Sequence, residues 1–363
     1  MTDLATILNQ HAPDIAHTLL PSQKRAIFAI RHCRTATLGG HVFACPHCQE
    51  RQYLFHSCRN RHCPRCQHDA GQQWLTRQAD RLLPSRYFLL TFTLPSQLRS
   101  LAFTHQRQLY NLLFRAAAQA TQQLALDPRH LGGQIGIIGV LHTWTRDLRY
   151  HPHVHFLVPA GALATDGSTW LPSRANFFLP VRALSRLFRG KFCAGLQSLA
   201  LEADLDSLFA QEWVVHCKPV GNGLAALKYL APYIFRVALT NNRILACRNG
   251  SVTFRFRRSD TGTWRTTRLP VNQFLQRFLR HVLPKGFVKV RYYGFFAPGQ
   301  QHRFALARSL LSATPLTSPT RHAHKLAAPI SPPRRQLCPH CHLPLARIAH
   351  LSPAARDPPA SSS

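Results

Sequence analysis

The sequence predicts an α+β protein, with an antiparallel sheet and packed helices preceded by a small zinc-binding module. Three observations lead there. Apolar, β-rich runs at 86–95, 134–144 and 148–163 are separated by a long Ala-, Leu- and Gln-rich stretch at 104–126 with helical character. Helices set between such strands suit an antiparallel α+β layer. Two CxxC pairs, "CPHC" at 45–48 and "CPRC" at 63–66, precede the first run. The 363 residues are 45% hydrophobic, enough for a sizeable core and for two or three domains.

In chain order, 1–31 reads as two helical segments broken at Pro21-Ser22, followed by the cysteine module and a polar helix reaching Pro84. After the three strands, residues 183–212 suggest further helices, and 221–239 another that Pro232 interrupts. "SVTFRFRR" and "TWRTTRLP" read as a hairpin around Asp260-Thr261-Gly262. From about Ser312 the chain is rich in Pro, Ser, Ala, Arg and His and carries one more "CPHC" at 338–341. The expected division is a helical and zinc-binding module at 1–83, a sheet-and-helix domain at 84–300, and a basic, flexible tail at 301–363.

The charge points to the partner. Forty-five Lys and Arg face 14 Asp and Glu, a formal net charge of +31. That excess suits a polyanion, nucleic acid first of all. The amino terminus has no signal-peptide pattern and no stretch is long and apolar enough for a membrane span. Clustered cysteines without an export signal read as metal ligands in a reducing, cytoplasmic setting. In CxxC-x14-CxxC, each knuckle points two thiolates at one ion, so Cys45, Cys48, Cys63 and Cys66 are the expected structural zinc ligands. Cys33, Cys58, His41, His56 and His62 are left over in the same segment as candidates for a second site. Cys338 and Cys341 form a half-site, with His340, His342, His350 or another chain as completing partners.

In "YHPHVHFLV" residues two apart share a strand face, so His153 and His155 point together, about 7 Å apart along the backbone. They form a candidate metal pair, with His151, His142 or Asp147 as third ligand. Tyr229 and Tyr233, four apart, lie on one face of a helix. A phenol there can attack a phosphodiester and conserve the bond as a phosphotyrosine, and an ion at the histidines would polarise the phosphate. Near the histidines only Asp147 and Asp166 supply carboxylates, which argues against an acid-based two-metal mechanism. Phosphate contacts are expected from "FRFRR" (254–258), Arg236, Arg243 and Arg291.

The succession "CRTATLGGHVFACPHC", "SCRNRHCPRC", "YFLLTFTLP", "LRYHPHVHFLVPAGAL", "YLAPYIFRVALTNNRI" and "HVLPKGFVKVRYYG", with a terminal CxxC, resembles the rolling-circle transposases of insertion-sequence family ninety-one. These belong to the HUH (His-hydrophobic-His) endonucleases, and the likeness covers roughly residues 10–300. The resemblance implies DNA recognition by the 1–83 module, an HUH-type antiparallel sheet in a catalytic domain at 84–300, His153 and His155 as ligands of a catalytic Mg or Mn, and Tyr229 and Tyr233 as paired catalytic tyrosines. It further implies single-strand nicking at element ends, a 5′-phosphotyrosine, and transfer to a target strand, in a nucleoid-associated bacterial protein that could act as a homo-oligomer. Pro232 departs from the family's usual polar or basic residue. A plasmid relaxase or rolling-circle replication initiator would share the histidines and tyrosines, and a non-catalytic zinc-dependent DNA-binding regulator would share the cysteines.

Overall fold

Residues 2–66, 68–235, 238–258, 261–313 and 336–354 are described by the structure, a computed structural model. Helix α1 (Leu4–His11) is capped by Asp3, whose carboxylate accepts from the Thr6 N–H. Helix α2 (Pro21–Arg31) opens on proline, whose missing N–H is no loss in a first turn. The Gln23 side chain accepts from the Leu20 N–H in front of it. An antiparallel hairpin follows, β1 (Gly40–Ala44) and β2 (Arg51–Phe55), then α3 (His68–Ala79).

The central part of the chain contributes β3 (Tyr87–Thr93), α4 (Arg99–Thr104), α5 (Gln106–Leu126), β4 (Gly133–Gln134), β5 (Gly136–Trp144) and β6 (Tyr150–Pro159). It continues with β7 (Gly161–Ala164), β8 (Trp170–Pro172), α6 (Val181–Ser198), α7 (Leu205–Ala210), β9 (Val215–Pro219) and α8 (Leu224–Phe235). A three-stranded meander is formed by β10 (Ile244–Arg248), β11 (Ser251–Arg257) and β12 (Trp264–Pro270), and α9 (Val271–Leu279) follows it. Strand β13 (Val290–Gly294), helix α10 (Gln301–Ala313) and strand β14 (Ala346–Leu351) complete the described elements.

The main sheet runs β13-β5-β6-β3-β9 with every neighbouring pair antiparallel. Its two faces are filled differently. On one, Val154, Phe156 and Val158 of β6 pack with Phe88, Leu90 and Phe92 of β3 against α5 and α6. The α6 residues Leu184, Phe188, Phe192 and Leu196 recur near every fourth position, a single apolar stripe. Gly139 of β5 is a close-approach site: a Cβ there would meet the Phe156 ring at 2.9 Å and the Phe114 ring at 3.1 Å. On the other face, Leu89, Ile138, Val140 and Leu157 pack under α3, α8 and α10 through Trp74, Leu227, Leu230 and Phe304. The α+β expectation with an antiparallel sheet and packed helices holds, and strands 86–95, 134–144 and 148–163 correspond to β3, β5 and β6–β7.

Three expectations change. Helices α1 and α2 do not stand apart with the cysteine module. Leu4, Ile7, Ile27 and Ile30 share a core with Phe254, Phe274 and Phe278 of β11 and α9, because two short helices bury too little apolar surface alone. Pro232 does not divide α8, which runs on through it for three more residues. The region from 301 is not all a loose tail: α10 buries Phe304, Ala307 and Leu311, and β14 pairs with β1 from Gly40↔Leu351 to Ala44↔Ala346. Among the described residues no helix is long and apolar enough to cross a membrane.

Phe156 is fully buried with its ring centroid 5.4 Å from Phe92 and 6.5 Å from Phe114. Replacing it by alanine removes transfer energy and leaves a cavity. Phe156→Ala is expected to cost about 3–5 kcal/mol in denaturant unfolding of the zinc-loaded chain.

Candidate metal centres and nucleic-acid surface

Strand register assembles the first centre. His142 of β5 lies directly opposite His153 of β6, and Val140 opposite His155. The alternation that sends Val154 and Phe156 into the α5–α6 core turns His153 and His155 to the other face, where His142 joins them. Ring centroids lie 4.5 Å (His142–His155), 4.8 Å (His153–His155) and 5.1 Å (His142–His153) apart, and one ring nitrogen from each falls within 4.8 Å of the others.

Hydrogen bonds orient two of these rings. The His153 Nδ1–H donates to the His151 carbonyl at 2.7 Å, which leaves Nε2 as its lone-pair nitrogen. His155 Nδ1 bonds the Thr91 hydroxyl at 2.9 Å across the β3–β6 ladder, where Thr91 faces His155. Burial pushes His153 down to about 4, and His142 and His155 well below the ordinary imidazole range. Neutral imidazoles with one nitrogen held by an outer partner are what a divalent ion requires. The donor set therefore fits a metal.

His142 is the third member of the cluster. His151 instead accepts at Nδ1 from an Arg99 N–H at 3.1 Å, and Asp147 pairs with Arg149 at 2.8 Å in the β5–β6 turn. Neither belongs to the histidine group.

The cysteines form two tetrads, and their partition corrects the single site expected from Cys45, Cys48, Cys63 and Cys66. Cys33, Cys58, Cys63 and Cys66 make one group; Cys45, Cys48, Cys338 and Cys341 make the other. The reason is the β1–β2 hairpin. Cys45 and Cys48 sit at its turn, whereas Cys58 to Cys66 follow the far end of β2. Five paired residues put roughly 14 Å between those ends, too far for one ion. Because β14 is antiparallel to β1, Cys338 and Cys341 arrive at the turn end.

Sγ separations of 3.3 Å (Cys45–Cys341), 3.4 Å (Cys48–Cys338) and 3.6 Å (Cys58–Cys66) approach the edge of about 3.7 Å that a thiolate tetrahedron around zinc would have. The Cys48 backbone amide leads in holding the Cys45 thiol down, to about 6. Both donor sets fit zinc. His62 is not a ligand: it is buried, and its Nε2 accepts from the Leu283 N–H at 3.3 Å.

Positions 229 and 233 both lie on α8, whose buried Ala226, Leu227 and Leu230 share a core with Val140 and Leu157. Those two strand residues are one same-face step from His142 and His155. The side chains of Tyr229 and Tyr233 are outside the described residues, as is all of Arg236.

Arg243 and Arg291, expected to contact phosphate, make contacts to protein in this structure. Arg243 donates to the carbonyls of Arg255 at 2.8 Å, Arg146 at 2.6 Å and Ala238 at 3.3 Å. Arg291 donates to the Asn111 side chain and lies 4.5 Å over the Phe114 ring.

The comparisons with known proteins agree with this architecture. A family model described as "Putative transposase" matches residues 136–303, and one described as "Transposase zinc-binding domain" matches residues 7–94. These define the class: a transposase that carries its own zinc-binding domain. The chain is 42% identical over 329 residues to the putative transposase y4qJ of Sinorhizobium fredii (strain NBRC 101917 / NGR234), covering 84% of this chain and 83% of that one. It is 32% identical over 287 residues to the transposase for insertion sequence element IS801 of Pseudomonas savastanoi pv. phaseolicola, covering 73% and 68% respectively. No solved structure matches. The chain belongs to the transposases of insertion-sequence family ninety-one and acts in DNA transposition.

Sequence reading missed the tetrad partition, the choice of His142 and the role of Thr91. One signal was available for the first: six cysteines at 33–66 and two at 338–341 add up to two tetrads.

Two expectations follow. The purified chain should hold two zinc ions, and Cys338→Ser/Cys341→Ser should hold one, read by elemental analysis against protein concentration. Thr91→Val should weaken Mn binding at the histidines about 10–100-fold, the usual effect of losing an outer hydrogen bond. Titration followed by electron paramagnetic resonance would measure that loss while zinc content stays unchanged.

Proposed function

We propose that this transposase nicks and transfers single-stranded DNA through Tyr229 and Tyr233, assisted by a divalent ion at His142, His153 and His155. The observation that carries the reading is the histidine cluster on the sheet face covered by α8, the helix that bears both tyrosine positions. In the reaction a tyrosine phenol loses its proton and its oxygen attacks the scissile phosphorus. The bond from phosphorus to the upstream 3′ oxygen breaks, that oxygen takes up a proton, and the downstream strand remains as a 5′-phosphotyrosine. Attack by a target 3′ hydroxyl reverses these steps and joins the strands, which needs no external energy source.

Mg or Mn, when bound, would supply charge neutralisation at the phosphate oxygens. The chain's own contribution is orientation. His151 and Thr91 fix the His153 and His155 rings, and burial keeps all three imidazoles unprotonated at neutral pH. Two tyrosines allow one to hold an element end while the other engages the target. The thiolate tetrads fit a reducing cytoplasm.

Incubation of the full chain with end-labelled single strands from the element's termini and Mn should give a covalent adduct on a denaturing gel. Tyr229→Phe/Tyr233→Phe should abolish it, and His153→Ala should slow it at least a hundredfold without loss of zinc. Absence of an adduct on every terminal strand, with both variants transposing like the parent, would sink the reading.

A further inference from the structure

The 145–149 turn, which joins the two strands carrying His142 and His153, forms the floor of a basic groove of about 680 Å³. Five arginines line it: Arg146 and Arg149 from the turn, Arg257, Arg258 and Arg265 from the β11–β12 hairpin. Among the described lining residues the one acid, Asp147, is already paired with Arg149. Arg146 fixes the groove's shape, donating to the carbonyls of Arg257 at 3.1 Å and Arg258 at 3.2 Å, so turn and hairpin hold together.

Arg149 is shared with a second trough of about 400 Å³ lined by Arg99, Arg277, Arg280 and the rings of Phe103 and Tyr150. Arg99 in turn donates to His151, two residues from His153. Arg149 and the Arg99–His151 contact thus connect the hairpin groove to the start of β6, two residues before His153.

Aromatic faces accompany the charges. Trp264 is 57% exposed with the Arg255 guanidinium 4.9 Å over its ring, and Arg280 stands 5.7 Å from the Phe103 centroid. Half-buried Phe256 lines the first groove. A half-buried phenylalanine in each trough and an exposed indole on the same hairpin, set among guanidinium groups, suit a strand whose phosphates meet the charges and whose unstacked bases meet rings. A duplex keeps its bases stacked and has no use for the rings.

We infer that these two troughs are the track that binds single-stranded DNA and leads it to the histidine cluster. The inference deepens the proposed nicking reading, but its test is equilibrium binding and can fail or stand by itself.

The experiment uses the full-length Tyr229→Phe/Tyr233→Phe chain, in which covalent capture cannot add to affinity, with a fluorescent 20-nucleotide single strand and a duplex of the same sequence. Adding Arg149→Gln/Arg265→Gln/Arg277→Gln should weaken single-strand binding at least tenfold. It should also flatten the slope of log affinity against log salt by about two, three lost phosphate contacts at roughly 0.7 each. Arg115→Gln/Arg182→Gln/Arg186→Gln, the same charge change on the exposed sides of α5 and α6, should alter affinity less than twofold. The lysine triple at 149, 265 and 277 should recover the salt slope, which separates lost charge from a misfolded hairpin.

Equal losses in groove and control variants, an unchanged groove variant, or a larger loss on duplex than on single strand would each overturn the track. A parental chain that forms the covalent adduct while the groove variant binds normally would leave the nicking reading standing without the track. The converse pair of results would leave the track without the nicking.

Discussion

Strand β6 is buried on both faces, and the alternation of its side chains governs the rest of the molecule. Tyr150, Val154, Phe156 and Val158 enter the core under α5 and α6, while His153, His155 and Leu157 turn to the face under α8. A slip of one residue in the β5–β6 or β3–β6 register would exchange the faces. It would drive imidazoles into an apolar core, away from their hydrogen-bond partners, and lift phenylalanines into the place of the histidine cluster. Each aromatic contact around Phe156 therefore also specifies where the histidines point. The stability of one face and the chemistry of the other are set by a single register.

The cysteine module is joined to that sheet. Arg61, between the ligands Cys58 and Cys63, donates to the Phe287 carbonyl at 2.7 Å, and neighbouring His62 accepts from Leu283. The 283–289 segment then reaches Lys289, a buried cation 4.6 Å from the Trp144 ring, which burial pushes down to about 7. Trp144 stacks on His142 at 5.7 Å. His281 closes the same region, its Nε2–H donating to the Leu148 carbonyl of the turn at 3.2 Å. Loss of the ion from the Cys33 tetrad would release Arg61 and His62 and loosen the packing behind His142. The second tetrad has a different effect: beside the β14–β1 pairing, a zinc ion held by Cys45, Cys48, Cys338 and Cys341 would close the chain between 45 and 341 into a loop, as a disulfide would elsewhere.

Much of this was legible in the sequence, and the remainder shares a physical cause. Strands, the long α5 and the pairing of His153 with His155 follow from local periodicity, which a linear reading captures directly. His142 and Thr91 enter the centre only through strand register, and nothing near either residue in the chain marks it. The cysteine partition depends on the length of β1–β2 and on a strand arriving almost 300 residues later. Pairing by sequence proximity put Cys45 with Cys63, although the hairpin that separates them holds them apart. Composition alone suggested a loose C-terminal region, yet α10 and β14 gain burial and hydrogen bonds that composition does not register.

The arginines follow a similar logic. With 45 basic and 14 acidic residues, most guanidinium groups have no carboxylate to pair with. Many take backbone carbonyls instead, as Arg61, Arg81, Arg189, Arg303 and Arg308 do. Others lie over rings, as Arg291 does. Such residues serve as struts, so a basic residue does not by itself mark a binding surface. What sets the 145–149 turn and the β11–β12 hairpin apart is convergence: several arginines face one concave surface, with one acid among the described lining residues. Their mutual repulsion costs stability in the free chain, and it is relieved by counterions or by phosphates. A strand displacing those counterions gains their release as binding entropy. The same excess charge that lends carbonyl-bound struts to the fold thus leaves this concave surface suited to a polyanion.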